Sequence, residues 1–264
     1  MKGAASRLAF GVSGAHGTPL VPARETVDLI HEARARGVRV FDTAPAYGAG
    51  EAERRLGRAL AGMDRDAVCV STKAGVTSRG LRGRRRDFSP DAIETSLRAS
   101  LDRLGLEGVD VLFLHGADPA ELTPGLIERL DRLKDAGAFA RLGATGRGAE
   151  LDAALDTGRI DALMTPVHPF LDAGGEARLV RAAEAGVSVF AIETAGPGRT
   201  AIRLPRRPAD LYAVGRGLLA SGGDDRRVPV AEGLAAALAR PEVAVAVFTT
   251  TRRAHLIENA AVAG

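Results

Sequence analysis

The chain is predicted to fold as a single-domain α/β protein, a (β/α)8 TIM barrel spanning residues 1–264. Three observations lead there. Eight short β-branched or apolar runs recur along the chain, and the segments between them carry apolar residues at helical spacing. Strand and helix alternating in this way give parallel strands joined by crossover helices. No glycine-rich dinucleotide fingerprint follows the first run, which leaves the open doubly wound sheet that the same alternation allows as the runner-up. A length of 264 residues suits one large barrel better than two ordinary domains.

The first strand is short, Leu8 to Gly11, and its helix runs from Arg24 to Arg36. The next three span Val38 to Asp42, Val68 to Thr72 and Asp110 to Leu114. Four more follow at Ala140 to Ala144, Asp161 to Thr165, Val187 to Ile192 and Val243 to Phe248. Helical spacing is carried by ETVDLIHEARARG, GEAERRLGRALAG, SPDAIETSLRASLDRLG and TPGLIERLDRLKDAG. Ser89 before Pro90 and Thr123 before Pro124 read as N-cap-then-proline starts; Gly37, Gly105, Gly137 and Gly186 read as stops. Two stretches are expected to be irregular: Ser78 to Asp87, which contains GLRGRRRD, and Ala195 to Pro208, AGPGRTAIRLPRRP. Both leave C-terminal strand ends and should overhang one mouth, where their arginines would draw an anionic substrate or cofactor. A solvated arginine-rich loop is the plainer alternative.

Composition excludes several classes. Hydrophobic residues at 45% and charged residues at 26% are ordinary for a soluble globular protein. The single cysteine, Cys69, lies inside an apolar run, reads as a small core residue and cannot form an internal disulfide, which favours a reducing compartment. No apolar run approaches the roughly 20 residues needed to cross a bilayer. The N-terminal MKGAASRLAFGVSGA lacks the sustained apolar block of a secretory signal, so a cytoplasmic protein with no membrane partner is expected. Aromatics at 4%, with no Trp, leave little to stack on nucleic-acid bases. His16, His31, His168 and His255 show no metal-ligand spacing, and no metal site is expected. Nothing in the sequence bears on oligomeric state.

The informative residues stand where three successive strands turn polar: Asp42 and Tyr47 in VRVFDTAPAYG, Lys73 in AVCVSTKAG, and His115 in VDVLFLHG. In a closed parallel barrel these ends share the rim on which catalytic residues collect. Lysine occurs at only three positions, Lys2, Lys73 and Lys134, in a chain that otherwise uses arginine. Unlike arginine, lysine can take part in proton transfer. Together the four could place a proton on a carbonyl oxygen: Tyr47 as the acid, Lys73 as the ammonium that favours its phenolate, Asp42 holding that ammonium, and His115 donating a hydrogen bond to the carbonyl. Taken singly each has a structural reading: a loop cap, a packing aromatic, a surface lysine, a satisfied core histidine.

At FDTAPAYGAGEAERRLGRAL the chain resembles the aldo-keto reductases, whose lysine and histidine strands STKAG and LFLHG then match in order and spacing. The closing segment FTTTRRAHLIENA resembles that family's adenosine-binding end. The resemblance implies the (β/α)8 barrel, a catalytic tetrad of Asp42, Tyr47, Lys73 and His115, and a nicotinamide cofactor. It places Thr145, Met164 and Ile192 along the nicotinamide, where the family usually has a Ser-Asn pair, a Gln and an aromatic residue. Gly146 and Met164 offer no side-chain amide there, and Glu193 follows at a position near the pyrophosphate. It places Thr249, Thr250, Thr251 and Arg252 at a 2′-phosphate and Asn259 towards adenine. The adjacent Arg252 and Arg253 favour NADP over NAD, since guanidinium pairs well with phosphate.

The expected activity is NADPH-dependent reduction of a small-molecule aldehyde or ketone, which the arginine-rich loops would allow to be anionic. Two alternatives stay open. One is a barrel enzyme that uses the same groups without hydride transfer, as a lyase, dehydratase or isomerase, suggested by the altered carboxamide grip. The other is a non-catalytic binding subunit, since fold alone does not fix function.

Overall fold

In the computed structural model, residues 7–78, 80, 83–198, 204–219 and 225–263 are described. Eight parallel strands close into a barrel: β1 (Leu8–Gly11), β2 (Val40–Asp42), β3 (Cys69–Ala74), β6 (Val109–His115), β7 (Phe139–Thr145), β8 (Ala162–Pro166), β9 (Ser188–Ile192) and β10 (Val243–Phe248), with β10 pairing back to β1. Each lies within two residues of its expected position. Helices α1 (Ala23–Ala35), α2 (Glu51–Leu60), α3 (Pro90–Leu104), α4 (Pro124–Asp135), α5 (Ala149–Asp156), α6 (Ala173–Glu184), α7 (Asp210–Leu219), α8 (Val230–Leu238) and α9 (Arg253–Ala260) lie between or after the strands. None of the described helices is long and apolar enough to cross a membrane.

The local signals act as expected at most helix ends. Thr123 accepts a hydrogen bond from the Leu126 amide at 3.2 Å, and Gly37, Gly105, Gly137 and Gly186 all carry positive φ beyond their helices. Ser89 departs from this pattern. It occupies the N-cap position of α3, but its hydroxyl donates to Asp87 Oδ1 at 2.7 Å instead of capping the helix. The stretch expected to be irregular after β3 is an antiparallel hairpin of β4 (Val76–Ser78) and β5 (Arg84–Arg86). A run of three arginines carries no apolar alternation, so only backbone pairing makes it a strand.

Side chains alternate across each strand, and the inward set fills the barrel. Ala9, Val40, Val111, Phe113, Ala162, Met164, Phe190 and Val245 form an interior apolar cluster, with Phe113 and Phe190 edge to face at 5.4 Å. The space for Phe113 requires glycine opposite: a Cβ on Gly143 would stand 2.4 Å from the Phe113 ring. This plug packs the barrel interior. Above it, the same parity turns Asp42, Lys73, His115, Thr145 and Ile192 inward at the C-terminal rim, because each lies two residues or a multiple of two beyond an inward residue of its own strand. A second, larger apolar layer lies between strands and helices.

Candidate active site

Lys73 is buried, with a side chain 2% exposed. Its Nζ donates to Asp42 Oδ2 at 2.5 Å and to the Thr43 carbonyl at 2.9 Å, while Asp42 Oδ1 accepts from Ser71 Oγ at 2.7 Å. Both carboxylate oxygens are therefore engaged, and the pair is fixed on two neighbouring strands. Behind it, on the outward face of β3, Thr72 donates to the wholly buried Glu53 of α2 at 2.7 Å, and Arg103 of α3 donates to the same carboxylate at 2.6 Å. That bracket locks the strand that carries Lys73. Burial alone would lower the lysine pKa, but the Asp42 charge, Tyr47 and hydrogen bonds to both outweigh it, and the pKa lies above the ordinary value.

Tyr47 is delivered by a tight turn between β2 and α2. Gly48 takes φ +63°, and a Cβ there would lie 1.8 Å from the Gly17 carbonyl oxygen, so this turn packs backbone to backbone against the loop after β1. The Lys73 ammonium stands 5.3 Å from the Tyr47 ring centre, and the His115 ring meets Tyr47 edge-on at 6.4 Å and 77°. The four expected side chains thus meet at one lip. His115 Nδ1 is buried with no hydrogen-bond partner among the described residues. The neutral tautomer that leaves least unmet puts the proton on Nε2, because a stranded acceptor costs less than a stranded donor. Burial, followed by the charges of Lys73, Arg84, Arg147 and Arg86, pushes the His115 pKa down to about 3. The imidazole is neutral at physiological pH, and in this tautomer its Nε2–H is able to donate a hydrogen bond.

The remaining expected residues follow the rim around from there. Thr145 is paired with His115 across β6 and β7, and Met164, buried in the interior cluster, is paired with Thr145 across β7 and β8. Ile192 ends β9, half-buried. On the far side of β10, Thr249 Oγ1 donates to the Gly11 carbonyl at 2.9 Å, and the Thr250 carbonyl accepts from His16 Nε2 at 3.0 Å. The Thr251 carbonyl accepts from Arg207 at 2.8 Å. Arg252 is the N-cap residue of α9 and donates to both oxygens of Asp210, at 2.8 and 2.9 Å, while Arg253 pairs with Glu32 at 3.0 Å. Both guanidiniums expected to meet a phosphate already hold a carboxylate. Asn259 is buried on α9.

Reading the sequence missed two residues that shape this mouth. Arg147, just beyond β7, pairs with Glu193, just beyond β9, with Nε donating to Oε2 at 3.2 Å. Glu193 holds φ +53°, a left-handed conformation rare for a branched or long side chain. Its charge, which looked misplaced beside a pyrophosphate, is neutralised by Arg147. The other missed residue is His16, set aside for want of metal spacing. It is fully buried, with Nδ1 3.1 Å from the Thr26 hydroxyl, which in turn accepts from Arg55 at 3.3 Å. It ties the loop after β1 to the loop after β10. Cys69, half-buried on β3, has its thiol pushed up to about 11, by burial first and then by Asp110.

With this geometry in view, sequence comparison is decisive. The profile of the Aldo/keto reductase family matches residues 7–198. The chain belongs to the aldo-keto reductases. It is 34% identical over 138 residues to the D-threo-aldose 1-dehydrogenase of a Pseudomonas species, a match covering 45% of this chain and 42% of that protein. It is 32% identical over 136 residues to the NADH-specific methylglyoxal reductase of Escherichia coli, covering 47% and 42%. The chain thus aligns with less than half the length of either curated relative. The holo form of an aldo-keto reductase from Bacillus halodurans shares the fold, with a TM-score of 0.76 at 24% identity, covering 98% of this chain and 86% of that one.

The nicotinamide cofactor of the family can be tested against the residues present. The half-buried Ile192 suits the face of a ring, Met164 is buried in the cluster on which Ile192 packs, and the Thr145 hydroxyl, on the strand neighbouring that of Met164, can meet a carboxamide. The threonine turn before α9 suits the adenosine end. The fit holds, with a hydroxyl in place of the usual amide side chains.

This aldo-keto reductase is expected to lose stability on mild acidification. Burial is the main cause that lowers His16 to about 4 and His115 to about 3, both below the ordinary 6.5. The unfolded chain therefore binds more protons than the folded one as pH falls from about 6.5 to 4, so stability is full above this window and drains within it. For His16 alone the loss by pH 4 is about 3 kcal/mol, at 1.36 kcal/mol per unit. Urea midpoints at pH 7 and pH 4.5 should differ accordingly, and His16→Gln should shrink the difference. A flat profile refutes the assignment.

Proposed function

We propose that this chain reduces an aldehyde or ketone to an alcohol with NADPH, Tyr47 delivering the proton. The observation that carries this reading is the buried Lys73, fixed by Asp42 and the Thr43 carbonyl and facing Tyr47, with a neutral His115 edge-on to the same ring. When bound, the reduced nicotinamide supplies the hydride. His115 Nε2–H orients the carbonyl oxygen and takes up part of the charge that develops there. Tyr47 gives its phenolic proton to that oxygen, and the Lys73 ammonium stabilises the phenolate left behind. Asp42 keeps the lysine charged and in place. Thr145, Met164 and Ile192 would hold the nicotinamide, and Thr249, Thr250, Thr251, Arg252 and Asn259 the adenosine end. The preference for NADPH rests on Arg252 and Arg253. Because Asp210 and Glu32 already occupy them, the preference over NADH should be modest.

A second reading, non-redox acid–base chemistry, is favoured by one observation: Met164, at the position of the usual amide, is buried in an apolar cluster and donates nothing. Fluorescence titration with NADPH and NADH separates the two readings. Binding below millimolar concentration, followed by oxidation of the cofactor with members of a carbonyl panel, supports the reductase. Absence of binding at millimolar cofactor overturns it.

A further inference from the structure

The hairpin after β3 has two faces. Its register sets Arg86 opposite Val76 and Arg84 opposite Ser78, so Arg84 and Arg86 project to one side and Arg85 to the other. Arg85 pairs with Asp87 at 2.7 Å on its own side. Arg86 reaches the loop beyond β6: its Nη1 lies 3.9 Å from the place a Cβ would take on Gly116, next to His115, and it pairs with Asp118 at 2.9 Å and with Glu121. The face shared by Arg84 and Arg86 is thus the face turned to the catalytic lip.

The cations around that lip differ in one respect. Lys73 is matched by Asp42, Arg147 by Glu193, and Arg86 by Asp118 and Glu121. Arg84 is exposed and has no carboxylate partner among the described residues, although its charge acts on His115. β4 leads away from β3 through Gly75, so Arg84, two residues before Arg86, stands about 7 Å further out along the hairpin. An uncompensated guanidinium held beyond the reacting groups is a forked donor set for a carboxylate.

We propose that Arg84 is the anion anchor of this site and that the chain takes carbonyl substrates bearing a carboxylate several bonds from the reacting carbon. The proposal rests on the reductase reading and names its substrate class. The carbonyl would lie at Tyr47 and His115 while the carboxylate reaches up to the hairpin. A 2-oxo acid, whose two groups are adjacent, is too short to span both.

The test compares 4-carboxybenzaldehyde with its neutral counterpart, methyl 4-formylbenzoate, in the full chain and in Arg84→Ala. The ratio of kcat/KM, acid over ester, is expected to exceed one in the parent and to fall about fivefold in the variant, the range of an exposed charge pair. Taking the ratio cancels any general effect of the substitution on folding. A ratio that does not change with Arg84→Ala overturns the anchor and leaves the reductase standing. If neither aldehyde is reduced, the reductase reading fails and terephthalate binding decides the anchor, followed by the His115 Cε1–H resonance. A shift in the parent that is lost in Arg84→Ala upholds the anion site; no shift, or the same shift in both, overturns it.

Discussion

Tyr47→Phe is expected to lower turnover about thousandfold, within the 100- to 10,000-fold range of a positioned general acid, while cofactor affinity and folding stay close to those of the parent. The substitution removes one oxygen from a ring otherwise retained. The edge-on contact with His115 and the proximity of the Lys73 ammonium to the ring face both survive, so the local packing should hold. What is lost is the proton donor and the oxygen on which the ammonium acts. Steady-state rates on a good carbonyl substrate, with cofactor titration in parallel, make the measurement. Turnover within tenfold of the parent would remove Tyr47 from the acid role and leave a water or His115 to supply the proton. Loss of cofactor affinity together with turnover would instead point to damage of the turn at Gly48.

Lys73→Met should cost both activity and stability. The lysine and Asp42 side chains are 2% and 6% exposed, so removing the ammonium strands a carboxylate in the barrel interior that keeps, among the described residues, the Ser71 hydroxyl as a side-chain partner. Breaking one side of a buried ion pair typically costs about 3–5 kcal/mol, because the remaining charge keeps its desolvation cost without its partner. Adding Asp42→Asn to Lys73→Met should recover part of the loss, since an amide is far cheaper to bury than a lone carboxylate. Urea unfolding of the parent, both single variants and the double variant closes the cycle. A Lys73→Met stability within about 1 kcal/mol of the parent would mean that water reaches Asp42 and that the pair is not sealed.

Much of this was legible in the amino-acid order. The eight strands could be read because each is a compact apolar run bounded by glycine or charge. The meeting of Asp42, Tyr47, Lys73 and His115 could be read because strand ends at one rim must converge once the barrel closes. Three parts escaped. The β4–β5 hairpin has no hydrophobic alternation, since β5 is a run of three exposed arginines. The Arg147–Glu193 pair joins residues just beyond strands β7 and β9, with β8 between them, and no local spacing announces a contact across a strand. The pairing of Arg252 with Asp210 arises from α7 folding back towards the turn before α9, a tertiary event that a run of arginines cannot foretell. Of the irregular stretch after β9, residues 199–203 lie outside the described part; Arg207 joins Glu25 and the Thr251 carbonyl near β10.

The plug of Phe113, Phe190 and Met164, made possible by a bare glycine on the neighbouring strand, has a kinetic corollary. With the barrel interior packed in this way, a ligand that reaches Tyr47 and His115 is expected to come from the C-terminal rim. If the cofactor is seated deepest and the substrate lies across it, arrival and departure would become a last-in, first-out queue. The choreography of turnover would then be written by the shape of the cul-de-sac, before any affinity is considered.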